Sequence, residues 1–251
     1  MATQPIDRDE ESPIPVYFKL QTALQKEIET GKWEPGQVFH TEKAIAETYQ
    51  ISIGTVKKAL LNLIKEGYLY RIQGKGTFVA GTAMRHKSIE CPHYYNVREE
   101  FADRDADLKV QLSDVKIIKS FEPAIDYLKI KANQDLVELK RLFVLEGTPV
   151  VYCISYMPQK LFANLHKNTK ERFEESPLCL ILEKDYSLPT LYNHELYSTA
   201  RIDKETATAL KIAKGTTVLL LEVLSFTYKN KPYEYRKSFC LTEKTKLFRE
   251  R

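Results

Sequence analysis

The stretch ISIGTVKKALLNLIKEGYLYRIQGKGTFVAG, Ile51 to Gly81, decides how the amino-terminal part of the chain folds. Ser52 is placed to cap a helix in which Val56, Ala59, Leu60, Leu63 and Ile64 recur at spacings of 3, 1, 3 and 1, a buried stripe along one face. Lys57, Lys58, Leu61, Asn62 and Lys65 fall on the other faces, so the start of this helix is small, polar and basic. Gly67 ends it. Tyr68 to Ile72 and Thr77 to Ala80 then alternate as two strands joined by Gln73-Gly74-Lys75-Gly76, where glycine permits positive φ and close approach of a partner.

Upstream, Tyr17, Leu20, Leu24 and Ile28 predict a first helix over Pro15 to Thr30, stopped by Gly31 and followed by the turn Trp33-Glu34-Pro35-Gly36. Thr41 caps a short second helix, with Glu42 in its first turn and Ile45, Ala46 and Tyr49 on its apolar side. Three helices followed by a hairpin make a winged helix-turn-helix. Its third helix suits a major groove about 12 Å wide, and its hairpin suits the neighbouring backbone or minor groove. Charge agrees, since Ser52 to Ala80 holds five basic residues against Glu66 alone, although the whole chain carries only +4. A protein-docking module shares this topology, and salt dependence of duplex binding separates the two.

The run from His40 to Val79, HTEKAIAETYQISIGTVKKALLNLIKEGYLYRIQGKGTFV, resembles the signature of the GntR family of bacterial transcription regulators. That signature runs P-S-E-R-x-L-A, V-S-R-x-T-V-R-x-A-L, L-x-x-x-G-L and G-x-G-T-F-V, and the match keeps its order and spacing over about sixty residues. Thr41-Glu42-Lys43 stands for Ser-Glu-Arg, Val56-Lys57 for Val-Arg, and Ile53 for an arginine. These changes keep most of the charge and lose the planar guanidinium fork, so the resemblance implies phosphate positioning with altered base readout. The DNA-contacting residues it implies are Thr41 and Lys43 on the second helix, Ser52, Thr55, Lys57 and Lys58 on the third, and Lys75 at the wing tip. Arg71 faces either phosphate or solvent, and Ser52 has its capping role in any case.

Residues 81–90 read as a linker between a 13–80 head and a 91–251 domain. The second domain contains a repeat: LKIKANQDLVELKRLFVLEGTPVVY from Leu128 aligns with LKIAKGTTVLLLEVLSFTYKNKPYEY from Leu210, with one extra residue at the later hairpin. Two such helix-plus-hairpin copies predict one antiparallel sheet with an approximate twofold and a cleft where the halves meet, making the whole chain α+β. This arrangement resembles the UTRA effector-binding domain of HutC-type GntR regulators, whose fold is similar to chorismate lyase. Arg141 matches the first arginine of an R-x-R whose second is Phe143 here, and Cys153 stands where glutamate is frequent. Ser176 begins SPLC, in place of Ser-Leu-Tyr. Tyr233-Glu234-Tyr235-Arg236-Lys237-Ser238 matches V-E-Y-A-R-S and keeps its glutamate. The effector-binding residues this implies are Arg141, Ser176 and Glu234, with Tyr156 and Tyr192 as stacking or hydrogen-bonding partners. Alternatives are an internal Arg141–Glu234 salt bridge and plain packing of the tyrosines.

With 43% hydrophobic and 29% charged residues, the composition is that of an ordinary globular chain. No apolar run approaches membrane-spanning length, and the polar, acidic Met1 to Ser12 does not read as a signal peptide, so a cytoplasmic location is expected. Cys91, Cys153, Cys179 and Cys240 lack CxxC spacing and read as free thiols, and Cys91-Pro92-His93 reads as an incidental pair rather than a metal site. No HExxH, phosphate-binding GxxxxGK or nucleophile elbow is present, so no catalytic residue, metal or cofactor is assigned. The rival reading is a chorismate-lyase-like enzyme. The resemblance implies a homodimeric repressor on a near-palindromic DNA operator, released by a small-molecule effector such as a sugar derivative or carboxylate.

Overall fold

The computed structural model describes residues 14–81, 96–98, 108–168, 170–243 and 246–248. Met1 to Ser12, Cys91 to His93 and all of the expected linker except Gly81 lie outside the described residues.

The head consists of α1 (Val16–Glu29), α2 (Glu42–Tyr49), α3 (Ile53–Lys65), β1 (Leu69–Ile72) and β2 (Gly76–Val79). Both helix starts are fixed by side-chain caps: Thr41 Oγ1 accepts the Ala44 N–H at 3.2 Å, and Ser52 Oγ accepts the Thr55 N–H at 3.2 Å. Gln50 in the left-handed region lets the chain reverse between α2 and α3. Val56, Ala59, Leu60 and Leu63 are buried against Leu20, Leu24 and Ile28 of α1, so the stripe on α3 is the head's core. Ile64 is only partly buried at its edge. β1 and β2 pair as the wing, and Val38 bridges to Phe78 to widen it.

The second domain is built on β4 (Lys109–Lys119), β5 (Asp135–Leu145), β6 (Thr148–Pro158), β7 (Tyr192–Arg201), β8 (Thr217–Thr227) and β9 (Lys231–Cys240). They form one antiparallel sheet in the order β4-β5-β6-β9-β8-β7. The repeat is visible in this order: hairpins β5–β6 and β8–β9 meet at β6 and β9, and β4 and β7 flank them. The preceding helices α4 (Ala124–Leu128) and α7 (Lys204–Leu210) end on left-handed Lys129 and Lys211, and each packs across the other copy's returning strand. α5 (Lys170–Glu175) and α6 (Leu178–Tyr186) join the two copies. A short ladder of β3 (Asn96–Arg98) with β10 (Lys246–Phe248) stands apart from the main sheet.

One irregularity sets which side chains share a face. The β5–β6 turn pairs Leu145 with Thr148 and Val144 with Pro149, but Phe143 then pairs with Val151 and leaves Val150 as a bulge. β8 and β9 do the same, with Phe226 opposite Pro232, Ser225 opposite Glu234, and Tyr233 as the extra residue. Val150 and Tyr233 are equivalent positions of the repeat, so the approximate twofold extends to the bulges. On one face, Val137 and Leu139 pack with α6 residues Leu178, Ile181 and Leu182, while Phe143, Val151, Leu221 and Val223 form a second apolar cluster. α4 and α7 cover the opposite face.

Candidate functional site

The amino end of α3 points away from the rest of the protein. Ser52, Ile53, Gly54, Lys57 and Lys58 are exposed, Ile53 at 46%, while Val56, Ala59 and Leu60 one turn further on are buried. Ser52 Oγ and Thr55 Oγ1 lie 2.8 Å apart, so both hydroxyls crown the start of the helix, where the backbone N–H groups and helix dipole favour an anion. Glu42 holds the two basic groups beside it: Arg71 Nη2 donates to it at 2.9 Å and Lys57 Nζ lies 3.9 Å away. Arg71 of the wing therefore meets α2 and α3 at one carboxylate. Lys58 turns its ammonium over the Tyr17 ring, 3.8 Å from the centroid, and Lys43 lies 4.0 Å from Glu47 on exposed α2. Thr41 and Lys75 are exposed, the latter between Gly74 at φ 75° and Gly76 at φ 123°. The eight residues thus lie on α2, the first turns of α3 and the wing.

In the second domain, β5 carries Arg141 and β9 carries Glu234, both on the α6-facing side and both buried. They are joined through Ser155 of β6, which receives a hydrogen bond from Arg141 Nη2 at 3.2 Å and donates to Glu234 Oε1 at 2.6 Å. Ser225 of β8 donates to the other Glu234 oxygen at 3.2 Å. Arg141 Nη2 also approaches Cys153 Sγ at 3.8 Å. Arg141 Nε is buried without a hydrogen-bond partner among the described residues, as is uncommon for such a group. Arg236 and Ser238 follow Glu234 on the same face at 2% and 0% exposure. A polar band thus crosses four strands between two apolar clusters, a pattern in which few polar groups orient a ligand against apolar walls.

The UTRA domain family matches residues 103–246, more than half of the chain, and the family described as bacterial regulatory proteins, gntR family, matches residues 17–79. The chain belongs to the GntR regulators that carry a UTRA domain. It is 27% identical over 230 residues to the HTH-type transcriptional repressor NagR of Bacillus subtilis, covering 92% of each chain. To the uncharacterized HTH-type transcriptional regulator YurK of the same organism it is 26% identical over 221 residues, 88% of this chain and 89% of that one. Among solved structures, the possible transcriptional regulator YydK of Bacillus subtilis superposes with a TM-score of 0.53 at 17% identity, covering 95% of this chain and 100% of that one. PhnF of Mycobacterium smegmatis gives 0.51 at 18%, covering 89% and 95%.

Within this UTRA domain the five effector candidates do not all gather. Arg141 and Glu234 come together, through a serine rather than as a printed ion pair. Ser176 is half-buried on the turn into α6, the helix packed on Val137 and Leu139 further along Arg141's strand. Tyr156 lies on the opposite face, against Phe121 and Tyr235, with ring centroids 4.8 and 6.0 Å away. Burial, helped by the Glu138 and Glu205 charges, pushes its phenol up to about 12. The bulge explains this: an unbroken register from the Glu146-Gly147 turn would oppose Arg141 with Tyr152 and put Tyr156 on the arginine's face, and Val150 shifts it by one. Tyr192 stacks on Phe226 at 4.7 Å and donates to Asn230 Oδ1 at 3.2 Å, beside the tip of the β8–β9 hairpin.

Ser155, Ser225 and Arg236 belong to the GntR chain's polar band and were not among the candidates. Their signal was the period-2 placement of Glu234, Arg236 and Ser238, which one strand face must share. The face of Tyr156 holds a second charged group, in which Lys140 Nζ and Tyr152 OH both donate to Glu205, at 2.5 and 2.8 Å. The expectation of free thiols holds for Cys153 and Cys240 and fails for Cys179, which is disulfide-bonded. Burial, with Cys153 nearby, pushes the Cys240 thiol up to about 12.

Proposed function

We propose that the chain is a ligand-responsive repressor that binds a near-palindromic operator as a homodimer in the cytoplasm and leaves it when a small metabolite occupies the UTRA domain. The observation that carries this reading is the exposed, side-chain-capped start of α3, flanked by Lys57 and Arg71 and joined in one chain to a sheet crossed by a buried polar band. The head is residues 13–80, the linker 81–90 and the effector and dimerisation domain 91–251. Thr41, Lys43, Ser52, Thr55, Lys57, Lys58, Arg71 and Lys75 contact DNA, chiefly its phosphates, while exposed Ile53 meets a thymine methyl.

For the effector, Arg141 and Glu234 are the anchoring groups and Ser155 the hinge between them. A guanidinium and a carboxylate side by side suit a small molecule with an acidic group and hydroxyls, such as a sugar derivative or hydroxylated carboxylate. The repressor description of NagR, similar over nearly the whole chain, supports this sense of control over catalysis. Ligand coupling of about 1 to 3 kcal/mol suffices for such a switch.

The test is selection of duplexes from a random pool by the full chain, followed by a thermal-shift screen of metabolites. Expected are an enriched near-palindrome and a ligand that raises the melting temperature and weakens operator binding. A specific ligand at a hundred times its dissociation constant adds about 2.7 kcal/mol. Failure to enrich any sequence, with salt-insensitive binding to all duplexes, would overturn the reading in favour of a protein-docking module.

A further inference from the structure

The β8–β9 hairpin is longer at its tip than its repeat partner. Leu145 and Thr148 close the first hairpin around two residues, whereas Thr227 and Lys231 close the second around Tyr228, Lys229 and Asn230, the last two at positive φ. Tyr228 is not at the solvent end of a loop. It is 8% exposed and belongs to the core cluster of the head, more than a hundred residues away in sequence. Its ring stacks on Tyr68 with centroids 4.2 Å apart and an interplanar angle of 14°, and its hydroxyl donates to the Ala80 carbonyl at 3.4 Å. The next backbone N–H, of Lys229, donates to the Glu66 carbonyl at the end of α3 at 2.9 Å. Beside it the effector domain closes on two glycines: a Cβ on Gly67 would stand 2.9 Å from Leu191 Cδ1, and one on Gly31 3.1 Å from Ser187 Oγ.

The same hairpin carries the polar band. Ser225, bonded to Glu234, is three residues before Tyr228, roughly 10 Å along a strand. At the other end, the docked base of the head is separated from Ser52 by the 13 residues of α3, roughly 20 Å, so docking leaves the reading end open.

We propose that Tyr228 is a positioning residue. By filling the base of the head it fixes the orientation of α3 relative to the effector sheet, and the β8–β9 hairpin, in addition to the covalent linker, carries changes at Glu234 to the head. The DNA consequence rests on the function proposed above; the docking itself does not.

The test uses the full chain with Tyr228→Ala, Tyr228→Phe and Leu191→Ala. Small-angle scattering gives the overall dimensions, and hydrogen exchange is followed at the Lys229 amide. Tyr228→Ala is expected to increase the radius of gyration and speed Lys229 exchange about tenfold or more, as a buried cross-domain bond becomes solvent-exposed. Tyr228→Phe keeps the stacked ring and should behave as wild type. Leu191→Ala perturbs the contact from the effector side, leaving the head's own side chains in place, and should also speed Lys229 exchange if Tyr228→Ala fails to fold. Unchanged dimensions and exchange in every folded variant would overturn the docking. If a duplex is selected, wild type should accept one half-site spacing and Tyr228→Ala several; release without broadened spacing would overturn the positioning role. Absence of any selected duplex would count against the regulator reading, while scattering and exchange still decide the docking.

Discussion

Lys57→Ala tests the placement of the reading helix with a number attached. Lys57 is exposed, its 3.9 Å approach to Glu42 is a surface pair, and such pairs contribute about 0 to 1 kcal/mol, so the variant should unfold at nearly the wild-type denaturant midpoint. If its ammonium neutralises one phosphate, removing it lowers the slope of log affinity against log salt by about 0.9. Raising salt from 50 to 200 mM, a fourfold change, then erodes wild-type affinity about 3.5-fold more than that of the variant. Fluorescence anisotropy with a labelled random-sequence duplex measures both slopes without knowledge of the operator. Parallel slopes would show that Lys57 meets no phosphate and would refute the docking of α3 in the groove.

Leu60→Ala, at 1% exposure in the head core, should cost about 2 to 5 kcal/mol by leaving a cavity, read as a lowered urea midpoint of the head. Ser155→Ala removes the hydroxyl between two buried charges and should cost about 1 to 3 kcal/mol in urea unfolding; an unchanged midpoint would deny the bridge. Asp203 caps α7 by accepting the Thr206 N–H at 2.8 Å, and Asp203→Ala should cost about 0.5 to 2 kcal/mol at neutral pH. That hydrogen bond, chiefly, holds the Asp203 carboxyl below its ordinary 3.8. A lowered carboxyl stabilises above its unfolded value and loses that contribution as pH falls through its folded one, so the gap between wild type and variant should be flat from about pH 7 to 5 and close below about pH 4. A gap that persists in acid would refute the capping account.

The head was legible because each of its boundaries has a local cause written in the sequence. Thr41 and Ser52 cap where capping residues were expected, Gly67 stops α3 at φ 83°, and the stripe from Val56 to Leu63 is the buried one. The sheet was legible as a repeat, because two similar segments must adopt similar hairpins. What escaped depends on single-residue register and on distant contacts. No local pattern announces the bulge at Val150, yet it decides that Tyr156 turns from Arg141 and that Ser155 turns toward it. Tyr228 escaped for another reason: the extra residue at the second hairpin was visible, but its partner Tyr68 lies in the other domain.

The paired bulges imply a rule for how this chain tolerates changes in length. A residue added outside them, at a hairpin tip, leaves the alternation of the strands untouched, as the longer β8–β9 tip illustrates. A residue lost at Val150 or Tyr233 would slide the returning strand by one place and turn it inside out, expelling Ser155 or Glu234 toward α4 and α7 and driving Tyr156 or Tyr235 inward. Deletion scanning should therefore find both hairpin ends forgiving and these two interior positions intolerant, a contrast that side-chain substitution at Val150 alone would not expose.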